Sequence, residues 1–486
     1  MTGSLWIALP LAWLFGGAFT LTLLGRWRGL GNTHLAGFTA FVCAVGLLLL
    51  VPPLALSRAA LLAGTALPAW GTLGAGGIVL RATPIALVVG AVGLGLGACI
   101  ALYSGRYMSR DPRFRVYYPL LPLMLTGMLG MLLTTDLFNL YLFCELMSIT
   151  AYVLVAFRRQ SDTAIEAGFK YLMMGSVGTL VMLLGIAFVY RETGQLALPL
   201  ATGQLGLWRR AGIACFLVGL GLKSGIVPLH TWLPDAYGRA PSSVSALLSS
   251  VISKSTLVVL IRVTLELGLP AADLGLLLIL FSLLNMTLGN VLALSQQNTK
   301  RLLAYSSVAQ TGYIMFSLGV GLRYDLPGAL QAGYFLLVVH AVMKATAFLS
   351  KGVCHYYCDT TLVTELRGTG QQLPLAALTF ALALAGLAGV PPLAGFVSKW
   401  FILSEGLHAA DTLVYVGLGI FLLNSLVALA YYLPLIVQLF MPLPAETPGG
   451  ALRIMISPWM AIPLLLLGAL IAAMGLFPGP WLAWVG

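Results

Sequence analysis

About fourteen runs of roughly twenty consecutive apolar residues follow one another along this chain of 486 residues. They lie near 4–24, 34–56, 82–103, 117–135, 137–157, 168–190, 211–231, 241–262, 272–294, 302–320, 327–352, 374–404, 411–438 and 457–480. In lipid a backbone has no hydrogen-bond partner but itself, so such runs are either helices or strands of a closed barrel. Barrel strands are about ten residues long and alternate apolar with polar side chains. These runs are about twice that length and apolar on every side, so the chain reads as an all-α polytopic membrane protein. Charged residues are 8% of the whole, against about 25% in an average soluble domain. That is too little charge to cover a soluble surface, and a mean hydropathy of +0.97 excludes disorder.

The first run lacks a basic leader segment and reads as a retained helix. Polar linkers stay short, so residues 1–486 form one integral domain without a soluble module. Two longer stretches, 57–81 and 439–456, are rich in Gly, Pro and Ala and read as loops or interfacial segments. The net charge of +11 has no basic cluster behind it, which argues against a nucleic-acid partner. About two thirds of the loop Lys and Arg follow odd-numbered runs, among them Arg26, Arg28, Arg110, Arg115, Lys300 and Arg301. The positive-inside rule then places odd loops in the cytoplasm and both termini outside.

Two spans carry proline where a continuous helix should not. One is the seventh, Gly221 to Asp235 with Pro228 and Pro234; the other is the twelfth, Gly386 to Lys399 with Pro391 and Pro392. Proline removes a backbone donor and clashes with the preceding turn. Freed backbone groups are tolerated at membrane depth only inside protein or beside a wet cavity. The breaks are five spans apart, and matching breaks in two halves point to inverted repeats. The repeats would be helices 4–8 (residues 114–264) and 9–13 (270–438), flanked by helices 1–3 (1–105) and helix 14 (455–486).

Ionisable groups at bilayer depth are costly and are functional by default. Glu145 is in the middle of the fifth run and needs a partner from another helix or a proton. Lys223 precedes the first break and His230 follows it. Lys254 is in the eighth run, His340 and Lys344 stand four apart on one face of the eleventh, and Lys399 follows the second break. One carboxylate cannot pair with four lysines, so titration or wet surroundings explain this set better than static ion pairs. His230 and Lys170 are further relay candidates, although a histidine bonded to freed carbonyls and a lysine that snorkels to the interface are the structural alternatives. Gly93, Gly95 and Gly97 lie inside a span and read as close helix packing, not as a dinucleotide site. Cys354-His355-x-x-Cys358 has no second ligand pair nearby, so no metal site is expected. With no haem, iron–sulfur or Walker pattern, no cofactor is expected either.

These residues sit in motifs that resemble a known family. Lys223-Ser-Gly-Ile-Val-Pro-Leu-His230-Thr-Trp-Leu-Pro-Asp235, Lys300-Arg301-Leu-Leu-Ala-Tyr305 and Gly389-Val-Pro-Pro-Leu-Ala-Gly-Phe-Val-Ser-Lys399 are similar to signatures of the antiporter-like subunits. That family spans complex I (NADH:quinone oxidoreductase), membrane-bound hydrogenases and Mrp-type Na⁺/H⁺ antiporters, and the hydrogenase-type and Mrp D-type wording looks most similar. The resemblance implies fourteen helices, two inverted five-helix repeats and a hydrophilic axis in the membrane plane. It implies that Glu145 pairs with Lys223, and that Lys254, His340, Lys344 and Lys399 continue the proton path, with His230 at the break. Lysine at 399 departs from the complex I member with glutamate there, and no long lateral helix follows the last span. The implied function is proton translocation within a multi-subunit energy-converting complex of a prokaryotic cytoplasmic membrane, coupled by partner subunits to redox chemistry or to Na⁺ exchange. An Mrp D-type antiporter subunit, a non-conducting scaffold and a self-sufficient transporter are the alternatives.

Overall fold

The computed structural model describes every residue except 1, 28, 66, 68, 71–78, 201–204, 444–452 and 486. The helices are α1 (Thr2–Leu24), α2 (Asn32–Leu49), α3 (Val51–Leu62), α4 (Pro84–Tyr107), α5 (Phe114–Leu133), α6 (Leu137–Val155), α7 (Asp162–Thr193), α8 (Leu207–Ser224), α9 (Trp232–Arg239) and α10 (Ser242–Leu247). They continue as α11 (Ser253–Glu266), α12 (Ala271–Leu294), α13 (Thr299–Arg323), α14 (Pro327–Cys358), α15 (Thr369–Gln372), α16 (Pro374–Ala388), α17 (Ala394–Leu407), α18 (Thr412–Phe440), α19 (Pro458–Leu476) and α20 (Pro478–Val485). The stretch read as a loop at 57–81 begins helical, since α3 runs on to Leu62, and holds a small antiparallel pair, β1 (Ala69–Trp70) and β2 (Leu80–Arg81). Half of 439–456, residues 444–452, lies outside the described residues.

Among the described residues, eleven helices are long and apolar enough to cross a membrane. The expectation of fourteen would need α8, α13 and the α16–α17 pair as well. Each misses for a physical reason: α8 carries Arg209, Arg210 and Lys223, α13 is rich in polar residues, and α16 is cut short by its break.

The chain forms two compact units. The first comprises Met1–Ala101, Asp111–Gly225 and Val251–Leu274; the second comprises Leu102–Arg110, Ile226–Ser250 and Gly275–Gly486. Glycines let helices of the first unit approach closely. A Cβ at Gly127 of α5 would strike the α6 backbone at Met147, and one at Gly219 of α8 would strike the Gly178 carbonyl of α7. Gly93 and Gly97 of α4 accommodate Met128 and Leu125 of α5, the close packing expected of that glycine series. In the second unit α14 is the interior helix: 94% of its most apolar window is buried, and it packs on α13, α16, α17 and α19.

Both breaks use the same local device. α8 ends on Gly225 (φ 75°) and α16 on Gly389 (φ 90°), each a left-handed cap that favours glycine. Proline then follows within three residues and prevents the helix from resuming at once.

Candidate functional site

In the first unit, Glu145, Ser148 and Tyr152 stand at i, i+3 and i+7 on one face of α6. Lys223, in the last turn of α8, is buried and donates to Ser148 Oγ at 2.6 Å and to Tyr152 OH at 3.2 Å. Ser148 can accept because its own hydroxyl proton goes back to the Cys144 carbonyl. The expected contact between Glu145 and Lys223 is therefore not direct. The ammonium is held by two neutral hydroxyls one and two turns beyond Glu145, which is half-buried and makes no ion pair among the described residues.

Gly175 of α7 makes room for this arrangement, since a Cβ there would fall on the Tyr152 hydroxyl. Gly175→Ala is expected to displace Tyr152 and cost Lys223 one hydrogen bond to a charged group. Any proton flux that depends on Lys223 should fall by about tenfold. Unchanged flux in membrane vesicles would separate Tyr152 from the function.

Lys254 is fully buried in α11, its Nζ 3.2 Å from Ser253 Oγ. It lies two residues past the end of a π-helical turn, Leu248–Ile252, a distortion common at functional positions. Lys170 is elsewhere: it is exposed on α7 and pairs with Glu166, four residues earlier, at 2.7 Å. Two features of this unit escaped the sequence reading. Arg262 donates to the carbonyls of Met131 and Thr134 and so caps the α5 C-terminus, and Glu266 bridges towards Arg81 at 3.4 Å. An arginine at the end of the eighth apolar run was the signal available.

In the second unit, Lys344 of α14 donates to the Leu303 carbonyl of α13 at 2.8 Å and to Ser306 Oγ. His340 is fully buried one turn earlier. His230 follows the first break, with its ring 6.4 Å from that of Tyr305. Asn285 of α12 accepts the Val227 N–H at 2.8 Å, which satisfies a backbone donor freed by the break. Lys399 of α17 reaches back across the second break. Its Nζ donates to the carbonyls of Ala388 (3.2 Å) and Leu387 (3.4 Å), the negative end of α16, and lies 5.0 Å from the centre of the Tyr313 ring. A Cβ at Gly389 would press on this lysine, so glycine there permits the approach as well as the turn.

Tyr313 belongs to a buried polar network that the sequence reading missed. Asn290 donates to Tyr313 OH at 3.1 Å and to Asn424 Oδ1 at 3.0 Å, and accepts from Tyr431 OH at 2.8 Å. Asparagines in apolar runs were the signal. Lys351 was missed too: it stands at the very end of the eleventh run, 327–352, where a lysine reads as a loop residue, but α14 continues to Cys358 and buries it.

Each unit thus holds buried lysines whose partners include hydroxyls or carbonyls, placed beside a helix break or distortion. A family model described as NADH:quinone oxidoreductase/Mrp antiporter, TM, matches residues 134–425. The chain belongs to this family. Subunit N of the F420H2 dehydrogenase of Methanosarcina mazei is 33% identical over 403 residues, covering 80% of each chain. Subunit N of the NADH-quinone oxidoreductase of Deinococcus radiodurans is 35% identical over 419 residues, covering 84% of this chain and 82% of the relative. Among solved structures, a chain of the membrane-bound sulfane sulfur reductase, an archaeal respiratory membrane complex, superposes with a TM-score of 0.83. It is 27% identical, and the match covers 99% of this chain and 96% of that one. This protein is an integral, antiporter-like membrane subunit of the complex I type.

Proposed function

We propose that this subunit translocates protons through Glu145, Lys223, Lys254, His340, Lys344 and Lys399 in a multi-subunit complex of a prokaryotic cytoplasmic membrane, with both termini outside. Partner subunits supply the driving reaction, which is redox chemistry of the kind named for its N-type relatives. Two inverted repeats, residues 114–264 and 270–438, each contribute one broken helix. Mrp-type exchange, with Na⁺ as the counter-ion, is the second reading and is favoured by the antiporter half of the family description.

The observation that carries the proposal is the environment of Lys223. Lys223 is a buried ammonium held by neutral hydroxyls, with no carboxylate in contact among the described residues. Bringing a carboxylate within 4 Å at an effective dielectric of 20 is worth about 4 kcal/mol, a factor of about a thousand in proton occupancy. Glu145, on the same face of α6, is the group able to make that change. A charge signal that moves Glu145 towards or away from Lys223 switches the lysine. The proton then passes to Lys254, to the His340–Lys344 pair and to Lys399, which releases it outside.

Glu145 also supports the need for partners. It shares its face of α6 with Phe138, Leu142 and Ile149, all at least 45% exposed. A carboxylate on an outward face at bilayer depth is costly unless another subunit covers it.

Glu145→Gln in the complete complex tests the reading. Translocation should be lost, as dye quenching in inverted vesicles on addition of NADH or reduced F420, or after a Na⁺ pulse, while the subunits still co-purify. A scaffold that only anchors redox partners would leave the quench unchanged.

A further inference from the structure

The buried lysine that the proposed relay does not use is Lys351, and the Cys354-His355-x-x-Cys358 segment surrounds it. His340, Lys344, Lys351 and His355 fall within an arc of about 60° on α14, at about 100° per residue. The titratable face thus continues past Lys344 to the end of the helix. α14 ends because Asp359 takes a left-handed conformation (φ 49°), its N–H bonded to the His355 carbonyl at 3.0 Å.

Exposure rises in steps along this end of the helix. Lys351 is 1% exposed, the His355 side chain 25% and the Asp359 side chain 96%. The three are linked. Lys351 Nζ donates to the Thr360 carbonyl and lies 3.0 Å from Thr360 Oγ1. His355 Nδ1 is 3.1 Å from the same carbonyl and 3.5 Å from Asp359 Oδ1.

The carbonyl that joins them is held firmly. Glu365 accepts from the N–H groups of Thr361 (2.5 Å) and Leu362 (2.8 Å), which hold its carboxyl below the usual range. Thr299 N–H bonds the Thr361 carbonyl at 3.2 Å, and Val363 N–H bonds the Gln297 carbonyl at 2.9 Å. The charged and titratable groups within electrostatic reach of Lys351 are Asp359, Glu365, Cys354 and Cys358.

We propose that Asp359, His355 and Lys351 form a proton-loading branch that joins solvent at the end of α14 to Lys344. The branch rests on the translocation reading above and gives it an entrance. The Thr360 carbonyl and Asp359 carboxylate are acceptors, so Nδ1 of His355 carries a hydrogen and Nε2 is the basic position. A solvent proton, gathered by the exposed Asp359 carboxylate, binds Nε2 and makes the imidazolium. The Nδ1–H bond then breaks as a new N–H bond forms on the neutral amine of Lys351, beside the shared carbonyl. Imidazole is left with its hydrogen on Nε2, and moving that hydrogen to Nδ1 resets it. Net, one proton passes from solvent to Lys351. Lys344, on the same face of α14, is seven residues away, about 10 Å along the axis.

The bland alternative is that Lys351 only pins the chain reversal at Thr360. Lys351→Gln separates the two, since an amide still donates to the carbonyl but carries no exchangeable charge. In vesicles holding the complete complex, proton uptake by Lys351→Gln should fall at least tenfold with unchanged assembly and melting temperature. Lys351→Arg should be equally slow, because an arginine does not release its proton. His355→Gln, at a partly exposed position, should also slow uptake and decides the matter if the lysine variants assemble poorly. Wild-type uptake in Lys351→Gln, or in His355→Gln where the former fails to assemble, overturns the branch. If Lys223→Ala is inactive in the same vesicles, the translocation reading survives that outcome. If Lys223→Ala also pumps normally, the translocation reading itself has failed.

Discussion

Replacing Lys223 by alanine should abolish ion translocation while leaving the complex assembled. The side chain is buried, and its ammonium is held by Ser148 and Tyr152 without a countercharge. Removing it therefore does not strand a buried partner charge, the usual reason such deletions unfold a protein. Ser148 keeps its bond to the Cys144 carbonyl. Function should suffer far more: a relay that loses its switchable amine loses the whole factor of about a thousand estimated from Coulomb's law at that distance. Lys223→Arg is the sharper variant. A guanidinium keeps the positive charge but does not release its proton near neutral pH. A static ion pair would be rescued by arginine, whereas a proton carrier would not. Vesicle uptake for the two variants side by side distinguishes these cases, and wild-type flux in the arginine variant would sink the carrier role.

Substitution of Lys399 is expected to stop translocation as completely, with a second signature. This lysine occupies the carbonyl end of α16, bonded to Leu387 and Ala388 and lying over the Tyr313 ring. Methionine would leave those carbonyls short of a donor, at a cost of about 1–3 kcal/mol, so the melting temperature should fall with activity. Glutamine restores a donor but not a proton carrier. Lys399→Gln should be inactive yet melt near the wild-type temperature. If both variants pump normally, Lys399 is only a helix cap. If glutamine alone restores pumping, the hydrogen bond matters and the charge does not.

Much of this was legible in the linear chain because lipid is an unforgiving solvent. Fourteen apolar runs, two proline-bearing breaks and a handful of charged residues at depth are visible without coordinates, and long motifs at 223–235 and 389–399 carry the family resemblance. Lys351 reads as a loop residue because it stands at the end of its apolar run, whereas α14 continues past it to Cys358 and packing on its neighbours buries it. By apolar length and charge alone α8, α13 and α16 do not qualify as spans, because they carry charged or polar residues or are cut short by a break.

The sequence by itself determined the solvent, the helical class, the family and most of the buried ionisable residues. The solvent, the class and the buried ionisable residues follow from composition and spacing, and the family from the resemblance of long motifs; none of these needs knowledge of what lies opposite. Only the tertiary structure decided partners. Lys223 rests on Ser148 and Tyr152 and not on Glu145, Lys399 on the end of α16, and Lys351 on Thr360. A side chain at bilayer depth must bond to something, but which oxygen it meets depends on how closely glycines such as Gly175 and Gly389 let helices and loops approach.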